Sequence, residues 1–233
     1  MISGLIPHFY PGELRGEVEV LGRDIRSVQP RELLSKVGYV LQNPDSQIIS
    51  NKARRELEFP LENRGYPQQE IRRRVEEVVE LLGIWDIVDR YTFELSGGQK
   101  QKLAIASVLV TGPELLILDE PLAYLSPRSA SNLVDTLARI RSRTGATVMI
   151  LEHRLDLLLG KSTKVVVMRD GRILDVGGPR EVFRRVVEGR LPINVPSVVK
   201  LYVGLRRRGI EMEEIPLSPE EAGLLLRRIL NDD

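Results

Sequence analysis

The sequence predicts an α/β fold with a mostly parallel sheet. Three short apolar runs, at 115–118, 147–151 and 164–168, are continuous and bounded by polar or turn residues. Runs of this kind are typical of strands buried on both faces of a parallel sheet. Helical segments at about 99–110 and 128–142 alternate with them, as the crossover helices of such a sheet do.

The residues before these runs predict a hairpin, a strand and a helix. Residues 16–25, GEVEVLGRDI, alternate in polarity around a glycine, which favours a hairpin. Residues 36–44, KVGYVLQNP, contain a short strand that ends in a polar turn closed by Pro44. A helix is expected from Pro67 to about Ile84, because five apolar residues share one of its faces: Ile71, Val75, Val78, Val79 and Leu82.

Two further helices are predicted near the C-terminus. Pro179 suits the first position of a helix over 178–185. Ser218 begins another over 218–230, since its hydroxyl can accept from the amide of Glu221 and the Glu221 side chain can reciprocate. A connector punctuated by prolines separates the two helices, so we expect a small C-terminal extension there.

Composition restricts the classes of function. The formal charge is +1, and the three arginines at 72–74 lie mostly on the face opposite the apolar one, so we expect a solvated helix face and no nucleic-acid partner. No cysteine is present, which excludes disulfides, thiol catalysis and cysteine-ligated zinc. We expect no signal peptide at the N-terminus and no transmembrane helix, since no apolar run is long enough to span a bilayer.

Polar residues close the predicted strands. Gln42 ends the strand predicted within 36–44, Asp119 and Glu120 follow the run at 115–118, and His153 comes shortly after the run at 147–151. Open parallel sheets bind ligands at the carboxyl ends of their strands. We therefore expect these four side chains to converge on one edge, although a single histidine beside a strand is often structural.

A second candidate site is the segment LSGGQKQ at 95–101. Ser96 stands where a helix is predicted to begin, and Gly97 and Gly98 would let the first amides of that helix approach a ligand closely. Free amides at a helix N-terminus favour an anion such as phosphate. Taken alone, the segment would fit an ordinary turn before a core helix equally well.

The residues 95–121, LSGGQKQKLAIASVLVTGPELLILDEP, resemble the signature helix and Walker B strand of ATP-binding cassette (ABC) ATPases. The resemblance extends over about residues 5–190. QNPDSQI, at 42–48, and the C-terminal extension are similar to the energy-coupling-factor or cobalt importer branch. The resemblance to ABC ATPases implies a P-loop NTPase-like ABC ATPase domain at 1–190, with a helical subdomain at about 45–110, and an extension at 191–233.

The resemblance also implies a role for each candidate residue. ATP and Mg²⁺ are the implied cofactors: Asp119 and Gln42 would contact the metal, Glu120 would orient or deprotonate the attacking water, and His153 would contact the γ-phosphate. The signature residues would reach the ATP of a second subunit: Ser96, Gly97, Gly98 and Gln99. The implied partners are a second ABC ATPase subunit, identical or paralogous, and transmembrane transporter subunits, at the cytoplasmic face of the membrane.

The phosphate loop of this family is not recognisable in the sequence. GKST at 160–163 would need its upstream glycine at position 155, which is Leu155, and it follows His153 and runs into a predicted strand. We therefore expect no nucleotide contact there. Because the loop and its strand normally come before residues 16–25, we expect a truncated domain that does not hold MgATP at its own half-site.

Three functions remain open at this point. The first is an importer ATPase whose loop is encoded upstream of Met1 or has been lost from a truncated gene. The second is a non-catalytic module that lends its signature motif to an intact ATPase; Ser126, where the family usually has an acidic residue, mildly favours such asymmetric pairing. The third, less favoured, is an ABC protein of DNA repair or translation, which typically has long coiled coils or tandem cassettes.

Overall fold

The computed structural model describes residue 2, residues 11–191 and residues 193–231. Contacts group the chain into two compact units, Met1–Glu152 and His153–Asp233. Residues 1–15 precede the predicted hairpin and resemble the end of a phosphate-loop helix; of these, residues 1 and 3–10 lie outside the described residues. The domain boundary expected near residue 190 stays a prediction.

The first unit contains the predicted parallel sheet. Its strands lie in the order β3 (Val37–Val40), β4 (Leu115–Asp119) and β5 (Thr147–Leu151), and both pairings are parallel. The predicted hairpin over 16–25 is also present, but only as β1 (Glu19–Val20) and β2 (Arg23–Asp24). The parallel α/β fold is therefore confirmed.

Burial differs between the central and the outer strand. In β4, Leu116 and Leu118 are completely buried, as the continuous apolar run predicted. In β5, Met149 and Leu151 are 37% and 45% exposed, so the prediction of burial on both faces is wrong for that strand. The difference arises because β4 lies between two described strands, whereas β5 is the last of the described strands in its sheet.

Among its described residues, the first unit has five α-helices beside this sheet: α1 (Pro30–Lys36), α2 (Ala53–Glu62), α3 (Gln68–Leu82), α4 (Gly97–Leu109) and α5 (Pro127–Thr144). The apolar face predicted for α3 is confirmed, since all five of its residues are buried. α3 ends at Gly83, whose φ of 61° is a left-handed conformation that glycine adopts without strain. α2, α3 and α4 pack on one another.

The second unit has an antiparallel hairpin of β6 (Val165–Arg169) and β7 (Arg172–Gly177). The run at 164–168 is thus a strand, but its predicted place in the parallel sheet is wrong. Asp170 and Gly171 have φ angles of 50° and 73°, and this left-handed pair turns the chain back so that β6 pairs with β7. The Asp-Gly dipeptide was the sequence signal for this turn.

The described part of the second unit also has three α-helices: α6 (Pro179–Val187), α7 (Ser197–Arg206) and α8 (Pro219–Asn231). They share a core in which Phe183 and Val199 are completely buried. Ser218 Oγ accepts from the amide of Glu221 at 3.2 Å, as predicted, but the Glu221 carboxylate accepts from the amide of Leu217 at 2.8 Å. The reciprocal bond is therefore displaced by one residue.

The GKST segment belongs to this second unit and has a different geometry from a phosphate loop. Leu159–Lys161 is one 3₁₀ turn, and the chain then enters β6, as the sequence predicted. A Cβ at Gly160 would lie 3.3 Å from the Ser218 side chain, so this glycine packs against the residue that caps α8. In the described part of the chain, no helix is long and apolar enough to cross a membrane.

Candidate functional site

Two of the predicted site residues are in direct contact at the carboxyl edge of the parallel sheet. Gln42 follows β3 and Glu120 follows β4, and they are 78 residues apart in the chain. The Gln42 Nε2 atom donates to Glu120 Oε2 at 2.8 Å. Since β3 and β4 are parallel neighbours, both strands end at the same edge, and this brings the amide and the carboxylate together.

The backbone of Glu120 is unusual. Its φ is 42°, in the left-handed region that residues other than glycine rarely adopt. Its amide donates to the carbonyl of Leu151, the last residue of β5, at 2.9 Å. Strained conformations of this kind persist where surrounding bonds fix them, and they concentrate at functional sites. The end of β5 therefore helps to hold the carboxylate beside Gln42.

Asp119 is oriented by a residue that the sequence analysis did not single out. The Tyr39 hydroxyl donates to Asp119 Oδ2 at 2.7 Å. Burial, followed by this hydrogen bond to the carboxylate, raises the pKa of Tyr39 to about 12. Tyr39 pairs with Ile117 in the sheet, and Asp119 lies two residues further on the same face. Only the strand register reveals this partnership.

The segment after Gln42 is attached to α4 by side chains. Asn43 accepts from the amide of Asp45 and caps a 3₁₀ turn, Pro44–Ser46. Lys100 of α4 forms an ion pair with Asp45, with 2.6 Å between Nζ and Oδ1. The side chain of Gln47 makes two hydrogen bonds. Its Oε1 atom accepts from the backbone amide of Leu41 at 2.9 Å, and its Nε2 atom donates to the backbone carbonyl of Ala104 at 3.1 Å.

The signature segment forms the predicted helix start. Ser96 is the N-cap of α4; its hydroxyl accepts from the amide of Gln99 at 3.4 Å, while the Gln99 side chain accepts from the amide of Ser96 at 3.0 Å. A Cβ at Gly97 would have no neighbour within 4 Å, whereas one at Gly98 would contact Leu125 at 3.6 Å. The open side of Gly97 allows close approach of a ligand to the first amides.

The other two predicted residues have separate places. His153 follows β5 and is the first residue of the second unit; its convergence with the other strand-end residues stays a prediction. Ser126 is the N-cap of α5, where its hydroxyl accepts from the amide of Ser129 at 3.3 Å. Serine therefore caps this helix as an aspartate would, but without the negative charge.

The oxygen atoms at the sheet edge suit a magnesium ion that is shared with a phosphate. Among the described residues, no group of three or more histidine, aspartate or glutamate side chains could hold a metal ion. Mg²⁺ usually takes only one or two protein carboxylates and completes its octahedron with water and substrate phosphates. The Asp119 carboxylate and the amide oxygen of Gln42 fit such a limited donor set.

Comparison with known proteins identifies the family. The profile described as ABC transporter matches residues 1–123. The chain belongs to this family. ABC ATPases hydrolyse ATP, and they dimerise and form part of transporter complexes. The α/β ABC ATPase fold predicted from the motifs is therefore confirmed.

Individual ABC proteins extend the likeness over most of the chain. An ABC transporter ATP-binding protein of Pyrococcus abyssi is 39% identical over 94% of this chain and 79% of its own length. The energy-coupling factor transporter ATP-binding protein EcfA1 of Caldanaerobacter subterraneus is 35% identical over 89% of this chain and 75% of its own. The structure of cbiO1 from Clostridium perfringens, part of the ABC transporter complex cbiONQ, has 35% identity and a TM-score of 0.65, covering 77% of this chain and 68% of that one.

Proposed function

We propose that this chain is the ATP-binding subunit of an importer of the energy-coupling-factor or cobalt type. The observation that carries the proposal is the contact between Gln42 and Glu120 beside Asp119, at the edge where a parallel sheet binds its ligand. The likeness to EcfA1 and to cbiO1 supports the importer branch. The solute would be selected by the membrane subunits.

The residues at the sheet edge would act on the terminal phosphate of ATP. Asp119 and Gln42 would hold Mg²⁺, which when bound neutralises the charge of the phosphate oxygens. Glu120 would accept a hydrogen bond from the attacking water and orient or deprotonate it. His153 would donate a hydrogen bond to the γ-phosphate. Each of these roles uses only the donor or acceptor atoms that its side chain carries.

The signature residues would serve a nucleotide held by a second ATPase subunit. Gly97 has open space where a Cβ would stand, and the amides that begin α4 can bind a phosphate there. In such a dimer, Ser96, Gly98 and Gln99 would close the partner's site, while the partner's own signature motif would close the site at Glu120. The second subunit can be another copy of this chain or a paralogue.

An exposed apolar surface beside the Gln42 segment is our candidate for contact with a membrane subunit. Tyr91 and Phe93 stack with their ring centroids 5.3 Å apart, and Phe93 and Ile49 are 73% and 68% exposed. Lys52 lies over the Tyr91 ring and is joined to Tyr91 by a β-bridge. Exposed aromatic groups are enriched at protein interfaces.

The test is ATP hydrolysis by the complete complex, purified after coexpression with the partner ATPase and membrane subunits of the same genomic neighbourhood. Replacing Glu120→Gln removes the base but keeps the size of the side chain, and Ser96→Arg blocks the start of α4. We expect each variant to lower hydrolysis by about 100-fold at the site it serves. Hydrolysis at the wild-type rate in both variants would refute the proposed function.

The second candidate is a module that lends its signature motif to an intact ATPase, and the open side of Gly97 and the uncharged Ser126 at the start of α5 favour it. Such a module would supply the signature half of a composite site. It would then stimulate its partner's hydrolysis on mixing, and Ser96→Arg would abolish the stimulation while Glu120→Gln would leave it unchanged. An equal loss in both variants would favour the first function, and in-frame codons upstream of Met1 would reveal whether they encode the loop.

A further inference from the structure

We infer that Asp45, Gln47 and Lys100 are positioning residues that couple the Gln42–Glu120 site to the signature motif; this inference rests on the proposed function. We call the three residues the strap. Asp45 and Gln47 lie three and five residues after Gln42, and Lys100 lies one helical turn after Ser96. Their bonds therefore connect a residue of one nucleotide site to the helix start that serves the other.

The strap has two attachments on α4. At the first, Lys100 Nζ is 2.6 Å from Asp45 Oδ1, and the Lys100 amide itself donates to the Ser96 carbonyl at 2.8 Å. At the second, Gln47 bonds to the carbonyl of Ala104, one turn further along, and to the amide of Leu41, which directly precedes Gln42. The segment between Leu41 and Gln47 is thus closed on itself and fastened to the helix at two points.

These bonds connect Gln42 to the start of α4, so we expect the two to move together. Gln42 is held by Glu120, and the turn that follows it contains a buried Pro44 and the cap from Asn43. A displacement of Gln42 toward or away from Glu120 therefore pulls on Asp45 and Gln47, and through them on the turn of α4 that begins at Ser96. A physical connection that both sites can bias is one that can couple them.

The ion pair can be changed without a large loss of stability. The Asp45 side chain is 63% exposed and the Lys100 side chain 21%, and ion pairs near the surface contribute little to folding. Exchanging the two charges keeps the attraction, so the variants Asp45→Lys, Lys100→Asp and the double exchange form a cycle with its own rescue. Asp89→Lys is the matched control, because it breaks the exposed pair of Arg54 and Asp89, at 2.7 Å, which is not part of the strap.

The experiment measures kcat and KM for ATP in the complete transporter complex. We expect each single charge reversal to lower kcat by about 5-fold or more, the low end of allosteric coupling, with KM changed by less than about 2-fold because the strap does not touch the nucleotide. The double exchange should return kcat to within about 2-fold of wild type. Asp89→Lys should keep the wild-type kcat, and the thermal midpoints of all variants should agree with that of the control.

The outcomes separate the strap from the function on which it rests. Wild-type kcat in Asp45→Lys, in a complex that Ser96→Arg inactivates, would overturn the strap and leave the proposed function standing. Failure of the double exchange to restore kcat, or a loss of activity matched by a loss of folded protein, would overturn it as well. If Ser96→Arg and Glu120→Gln both had no effect, the proposed function itself would fail.

Discussion

Replacing the buried carboxylate of Glu56 should destabilise the first unit. Glu56 lies in the first turn of α2 and is only 4% exposed. Its Oε2 atom accepts from the amides of Ile49 and Ser50 at 3.0 and 2.8 Å. Glu56→Leu fills the same space but removes both bonds. Each lost partner costs about 1–3 kcal/mol, and since Ile49 and Ser50 are not fully buried we expect about 2–4 kcal/mol in total.

Urea denaturation of the full chain measures this cost. Trp85, the single tryptophan, is 56% exposed in the same unit, and its fluorescence can be followed together with circular dichroism. Glu56→Gln is the control, because its amide oxygen can still accept both bonds, and we expect a loss of about 1 kcal/mol for the missing charge. Equal midpoints for the leucine and glutamine variants, at an unchanged slope, would refute the reasoning.

Two further predictions concern β3. Gly38→Ala should lower the free energy of unfolding by about 1–3 kcal/mol, because the new Cβ would lie 2.3 Å from Val108 Cγ1. Adding Val108→Ala should restore part of this loss in the same urea assay. If the double variant were no more stable than Gly38→Ala, the close contact would be contradicted. Tyr39 should ionise near pH 12, above the ordinary value of 10, so Tyr39→Phe should remove the phenolate absorbance at 295 nm that Tyr39 contributes near that pH. The raised pKa stabilises the protonated native state, and we expect that contribution to be lost as the pH rises from about 10 through 12.

Local patterns in the sequence were enough for five of the described helices and for the central strand, whereas α1, α2 and α7 were not predicted. The apolar face of α3 follows from spacing within a few turns, and the start of α4 follows from Ser96 and Gln99, whose reciprocal bonds are formed between residues three apart. The motif over 95–121 predicted the family because its order of residue types is specific to that family. These features depend on neighbours along the chain, and so the sequence could predict them.

Pairing between distant segments was decided only by the tertiary structure. The sequence predicted that Gln42 and Glu120 would meet, because parallel strands end at a common edge. The hydrogen bond from Tyr39 to Asp119 depends on the register of the two strands, which no local pattern reveals. β6 pairs with β7 because a two-residue turn reverses the chain. Glu56, an acidic residue in a helix, can be buried because its side chain accepts hydrogen bonds from two loop amides. The sequence determined which residues could bond locally, and packing determined which distant residues did.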